Sequence, residues 1–140
     1  MRCVLLAFDG SQPSKRALRY LLSFIEKHGA LTIHLINVEA KSSAWDTCGL
    51  VQTAVDEHLE GVARQALQEA EATLGNADVS YQSHAFIGDP AETISAMADK
   101  LGCDTILMGR RGLSAVTGIY LGAVATKLLN LSSLPVLLIK

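Results

Sequence analysis

The chain reads as an α/β protein: a three-layer α/β/α sandwich, one domain over residues 1–140, with helices on both faces of a five-stranded parallel sheet. Three observations predict it. Short runs rich in Val, Ile and Leu alternate with longer segments of helical period, the pattern of βαβ units feeding a parallel sheet. Gly29, Gly75 and Pro135 punctuate the junctions between those segments. And 140 residues, 49% hydrophobic and 19% charged, suffice for one core and are too few for two.

The first strand is CVLLAF (3–8). A helix follows in SQPSKRALRYLLSFIEKHG, where Ala17, Leu18, Leu21, Leu22 and Ile25 share one face and Gly29 supplies the stop. The second strand, LTIHLINV (31–38), leads into EAKSSAWDTCGLV (39–51), the one long irregular loop. Loops of that length in a compact domain are commonly functional, and its single Trp45 either covers a sheet edge or meets a ligand. The second helix is long, with Val55, Leu59, Val62, Ala66, Ala70 and Leu74 recurring at three and four residues before Gly75. The third strand is VSYQSHAF (79–86). In GDPAETISAMADKLG, Asp89 is placed as N-cap, Pro90 as first helical residue and Glu92 as the far side of a capping box, with Ile94, Met97, Ala98 and Leu101 facing the sheet. DTILMG (104–109) is the fourth strand. The last helix carries Val124, Ala125, Leu128 and Leu129, and Pro135 ends it before PVLLIK (135–140), the fifth strand.

Composition narrows function. A net charge of −2 gives no electrostatic footprint for nucleic acid or an anionic membrane. No run approaches the ~18 apolar residues of a membrane helix, and the start, MRCVLLAFDG, suits a strand better than a signal peptide. A cytoplasmic location is expected. Cys3, Cys48 and Cys103 are far apart, odd in number and without a C-x-x-C partner, so they read as reduced thiols rather than a disulfide framework or a zinc site.

In an open α/β sheet, ligands bind outside the carboxyl ends of the strands. The segments to inspect are therefore Phe8-Asp9-Gly10-Ser11, Val38-Glu39, Gly88-Asp89 and Met108-Gly109-Arg110-Arg111-Gly112. Gly109 and Gly112 permit positive φ or a close approach to the backbone. Gly118 and Gly122 precede a helix whose first N–H groups are unpaired and carry the positive end of the dipole. A loop turning back over such a start forms an anion site, and Arg110, Arg111 and Lys127 add local positive charge. Neither G-x-x-x-x-G-K-[ST] nor G-x-G-x-x-G is present. The glycine spacing alone is equally met by a tight turn with helix-packing glycines.

The stretch Gly109-Arg110-Arg111-Gly112, nine residues, then Gly122-Ala123 resembles the G-x-x-G-x9-G-[ST] signature of the universal stress protein family. VLLAFDGS (4–11), GDPAETI (88–94), DTILMGRRGLS (104–114) and the terminal PVLLIK extend the resemblance over nearly the whole chain. It implies a Rossmann-like fold of the adenine nucleotide alpha hydrolase-like kind and a stress-response regulator binding ATP, with Mg²⁺ an optional companion. Carried across, Ala7 and Asp9 lie at the adenosine and the Val38 backbone at the adenine edge. Met108, Gly109, Arg111 and Gly112 follow the ribose and first phosphates, and Gly122, Ala123, Val124 and Ala125 hold the triphosphate. The signature's hydroxyl is missing, because Ala123 stands where family members that bind ATP have Ser or Thr. A hydrogen bond to a charged group is worth about 1.5–3 kcal/mol, so its loss weakens the cradle about tenfold to a hundredfold while leaving the backbone donors. Ser114 or Thr126 is a substitute by type, but Thr126 reads as a solvent-facing helix residue. A family member that has given up ATP and works as an interaction module is the alternative.

Nothing points to catalysis. His28, His34, His58 and His84 do not group in sequence, adjoin no strand's carboxyl end, and read as packing or surface residues. Asp9 and Asp89 are each either helix-capping residues or carboxylates for Mg²⁺ carried by a triphosphate, and no base for water is evident. A non-enzymatic protein is expected, with slow nucleotide hydrolysis the lesser reading. PVLLIK at a sheet edge invites pairing with a second copy, and the resemblance likewise implies a homodimer through Pro135 to Lys140.

Overall fold

The computed structural model describes residues 1–41, 52–110 and 122–140. Among the described residues five strands and four helices alternate: β1 (Cys3–Ala7), α1 (Gln12–His28), β2 (Thr32–Glu39), α2 (Gln52–Asn76), β3 (Gln82–Ile87), α3 (Pro90–Lys100), β4 (Thr105–Gly109), α4 (Ala123–Leu131) and β5 (Val136–Ile139). All pairings are parallel, in the order β3-β2-β1-β4-β5. The chain therefore builds outward from β1 in one direction and then, after β3, resumes on the other side of it. Between β1 and β4 the connections diverge to opposite faces, which opens a crevice at their carboxyl ends.

Alternation along the strands makes two cores. Val4, Leu6, Phe8, Ile33, Leu35 and Leu107 face Ala17, Leu18 and Leu21 of α1 and Leu67, Ala70 and Leu74 of α2. Leu5, Ile36, Ile106 and Met108 face Ala91, Ile94 and Ala98 of α3 and Ala125 and Leu128 of α4. Because both faces are covered, the strands read as near-continuous apolar runs.

The local signals act largely as expected. Gly29 ends α1 at φ 96°, and Ser11, a cap not anticipated from the sequence, accepts from the Ser14 N–H at 3.4 Å at the helix start. In α2 the buried stripe is Val55, Leu59, Ala63, Leu67, Ala70 and Leu74, while Val62 is 36% exposed. Repeated four-residue steps carry the buried line through 63 and 67, so position on the helix outweighs the apolarity of Val62. Leu129 is likewise exposed at 46%, and α4 buries only Ala125 and Leu128. The third strand begins later than its apolar run, at Gln82, because Val79 is held by the Leu74 carbonyl at 3.0 Å in the turn that closes α2. Most of the loop at 39–51, with Trp45 and Cys48, lies outside the described residues. No helix among the described residues is long and apolar enough to cross a membrane.

Candidate functional site

A cavity of about 360 Å³ occupies the crevice at the carboxyl ends of the strands, within the range typical of small-molecule sites. Of the residues expected at an adenine nucleotide, Ala7, Asp9, Val38, Met108, Gly109, Gly122, Val124 and Ala125 line it. Ala123 is exposed and does not line it. Arg111 and Gly112, like Ser114 and Gly118, lie outside the described residues.

Each wall has a local cause. β1 and β2 pair only as far as Ala7 with Ile36, with one further bond from the Phe8 N–H to the Ile36 carbonyl at 3.0 Å. Since backbone groups two residues apart point to the same side of a strand, the Val38 N–H and C=O face the space beyond the end of β1. That backbone edge is open to the cavity. Asn37, buried on the other face of β2, donates through Nδ2 to the Phe8 carbonyl at 2.8 Å and ties the chain down where it leaves the sheet. Its Oδ1 is a buried acceptor without a hydrogen-bond partner among the described residues, and Asn37 also lines the cavity. Sequence reasoning missed Asn37, although a lone amide in the apolar run LTIHLINV was the available signal.

Gly109 is glycine for a reason internal to the protein. Its φ is not positive. A Cβ built on it would collide with the Pro13 carbonyl and come within 2.6 Å of the Ser14 backbone nitrogen. The close approach at this glycine is therefore between the end of β4 and the first turn of α1.

The opposite wall is the start of α4. Gly122 is its N-cap, with φ −58° and ψ 156°, and no side chain among the described residues caps it. The Thr126 N–H is the first to bond back within the helix, to the Gly122 carbonyl at 3.0 Å, which leaves the N–H groups of Ala123, Val124 and Ala125 ahead of the helical ladder. The Thr126 hydroxyl donates to that same carbonyl at 3.1 Å and the residue is exposed, so it does not replace the hydroxyl missing at Ala123.

Acidic groups frame the mouth. Asp9 is exposed and accepts from the Ser11 N–H at 2.9 Å. Burial first, and the charge of Asp9 second, push the Glu39 carboxyl above its ordinary value. Asp89 acts as a cap: its Oδ2 accepts from the Glu92 N–H at 2.9 Å. Lys127 does not stand as a positive charge facing the cavity, for its Nζ lies 3.0 Å from Asp89 Oδ1 and 3.6 Å from Glu92 Oε1. The Glu92 N–H and then Lys127 hold Asp89 below its ordinary value of 3.8. A carboxylate with a depressed folded pKa stabilises above its unfolded value, and that contribution is lost as pH falls through the folded one. An Asp89→Ala variant should accordingly melt below the parent at neutral pH, and the gap should close as the pH drops below 3.8. A gap that is constant with pH in thermal unfolding would contradict the ionic cap.

Two of the histidines, His34 and His84, and two of the cysteines, Cys3 and Cys103, do assemble, contrary to the sequence expectation. His34 Nδ1 lies 3.0 Å from His84 Nε2, and Cys3 Sγ lies 3.3 Å from Cys103 Sγ. Parallel register is the reason: it sets strands that are distant in sequence side by side, which spacing along the chain does not reveal.

A model of the universal stress protein family matches residues 1–140. A Thermus aquaticus protein, the universal stress protein in the QAH/OAS sulfhydrylase 3′ region, is 34% identical over 142 residues, covering 99% of this chain and 98% of its own. Among solved structures, hypothetical protein MJ0577 superposes with a TM-score of 0.84 at 23% identity, covering 99% of this chain and 95% of its own. An Arabidopsis thaliana universal stress protein family protein with AMP bound gives 0.72 at 18% identity, covering 100% and 92%. The Archaeoglobus fulgidus universal stress protein in complex with dAMP gives 0.69 at 19%, covering 100% and 98%. At these identities the structural likeness establishes the fold.

Proposed function

We propose a function from one premise: the chain belongs to the universal stress protein family. It is a small cytoplasmic regulatory protein that binds an adenine nucleotide, ATP in its full form, and acts through binding and partners rather than turnover. The observation that carries this reading is the cavity of about 360 Å³ running from the open Val38 backbone edge to the start of α4 at Gly122. The AMP and dAMP complexes of the Arabidopsis and Archaeoglobus proteins support the ligand class.

In this reading Ala7, Asp9 and the Val38 backbone take the adenosine. Met108, Gly109, Arg111 and Gly112 follow the ribose and first phosphates, and the N–H groups at Gly122 to Ala125 take the remaining phosphates through the helix dipole. The Asp9–Glu39 pair makes the mouth negative, which favours a triphosphate arriving as its Mg²⁺ complex. The protein is a homodimer through β5, which lies at the sheet edge with four half-buried apolar residues, Val136 to Ile139.

A second reading, an interaction module without ATP, is favoured by one observation: Ala123 has no hydroxyl and that of Thr126 is spent on Gly122. Thermal unfolding with and without Mg-ATP decides between them. Ligand at 100 times its dissociation constant should stabilise by about 2.7 kcal/mol. Ala123→Ser should tighten binding about tenfold or more, the worth of one hydrogen bond to a charged group. An unchanged melting temperature at millimolar Mg-ATP in both proteins would leave the second reading standing.

A further inference from the structure

We propose that Cys3, Cys103 and His34 form a zinc site at the amino ends of the strands, at the far end of the sheet from the cavity, with His84 as the residue that orients His34. Cys3 opens β1, Cys103 lies two residues before β4, and His34 and His84 are each the third residue of their strands. Register puts them on one face. His34 pairs with Leu5, two residues from Cys3, and His84 pairs with Ile36, two residues from His34. That is the face carrying Leu5 and Ile36 against α3 and α4.

The donor atoms of Cys3, His34 and Cys103 all lie within 4.8 Å of one another. Ligand atoms around a tetrahedral Zn²⁺ stand about 3.4–3.8 Å apart, from Zn–S near 2.3 Å and Zn–N near 2.0 Å. The two sulfurs at 3.3 Å need to open by a few tenths of an ångström, and no pair needs to close by more than about 1 Å. Two thiolates and an imidazole are a donor set that selects a soft or borderline cation over Mg²⁺ or Ca²⁺. Two thiolates also neutralise a dication, so the bound site carries no net charge into a buried setting, where isolated charge is costly.

The histidine pair supplies the orientation. With His34 Nδ1 held 3.0 Å from His84 Nε2, the nitrogen left for metal is His34 Nε2. A ligating histidine characteristically passes its second N–H to an acceptor that fixes tautomer and ring plane, and His84 Nε2 is such an acceptor when the His84 ring carries its proton on Nδ1. Asp104 pins the neighbouring backbone by accepting from the N–H groups of Arg2 at 2.7 Å and Cys3 at 3.2 Å. The three protein ligands leave the fourth position for water.

The test uses the reduced, chelator-treated full chain titrated with Co²⁺ and then Zn²⁺. Expected are sulfur-to-cobalt charge-transfer absorption and the intense visible bands of tetrahedral cobalt, both abolished by a stoichiometric amount of Zn²⁺. Cys103→Ser and His34→Gln should lose the signal, while His84→Phe should keep its shape but weaken affinity about tenfold to a hundredfold. Should a variant fail to fold, thiol alkylation of the parent gives an independent reading, since Zn²⁺ should slow labelling of Cys3 and Cys103 and a chelator restore it. Weak six-coordinate cobalt spectra, or labelling at the same rate with and without Zn²⁺, would overturn the site. Neither readout depends on ATP, so this inference and the nucleotide reading fail separately.

Discussion

Replacing Gly109 by alanine should lower the unfolding free energy by roughly 3 kcal/mol or more, the upper end of the range for overpacked cores. For a chain of this size that is a fall in melting temperature of about 6–12 °C. The added methyl group meets the Pro13 carbonyl and the Ser14 backbone nitrogen, not the end of a side chain. Backbone at the start of α1 cannot yield without moving the Ser11 cap and the helix that buries Ala17, Leu18 and Leu21 against the sheet. Gly61, inside α2 with nothing within 4 Å of a built Cβ, is the control. There the same substitution should stabilise by about 0.5–1 kcal/mol, because alanine costs less backbone entropy in a helix. Denaturant unfolding of the two variants reads both signs. A Gly109→Ala protein as stable as its parent would mean that α1 does not close tightly on β4. The comparison also separates two explanations for one glycine, since a stability loss of this size in ligand-free protein owes nothing to phosphate.

The elements were legible because their signals are local. Gly29 and Asp89 act as helix boundaries where capping chemistry puts them, and each strand announces itself as a short apolar run. Strand order was not legible in the same way. It depends on which strand returns beside β1, and that is decided by tertiary packing rather than by any residue near β4. The site divides along the same line. Positions at strand ends, such as Ala7, Asp9 and Met108, could be found from the carboxyl end of each apolar run, and they line the cavity. Contacts that cross the sheet were invisible. The Asn37 bond to Phe8, the His34–His84 pair and the Cys3–Cys103 contact join residues 29, 50 and 100 positions apart. Lys127 shows the converse error: near the glycine loop in sequence, it is bound instead to Asp89 and Glu92 across the α3–α4 interface.

An Ala123→Asp variant should fold at least as well as its parent and bind Mg-ATP about a hundredfold more weakly. The two effects come from one dipole. Ala123 is the exposed first residue of α4, beyond the N-cap Gly122, and no side chain among the described residues caps the helix. A carboxylate there meets the positive helix end and should stabilise by about 0.3–1 kcal/mol. The same carboxylate would compete with any phosphate held by the N–H groups of Ala123, Val124 and Ala125. Two unit charges about 4 Å apart repel by about 1 kcal/mol in water and about 4 kcal/mol near a protein surface. Taking a value between these limits, about 2.7 kcal/mol, gives the hundredfold loss. The loss should shrink as salt is raised, since exposed charges are screened over about 10 Å at 0.1 M. Titration calorimetry on parent, Ala123→Ser and Ala123→Asp should thus order the affinities Ser, Ala, Asp, while thermal unfolding without ligand leaves the aspartate variant level with the parent or above it. Equal affinity in all three would place the phosphates away from α4, whatever the fate of the adenosine end of the cavity. A stable aspartate variant with weakened binding separates ligand from scaffold, because folding and phosphate recognition then respond to one charge with opposite signs.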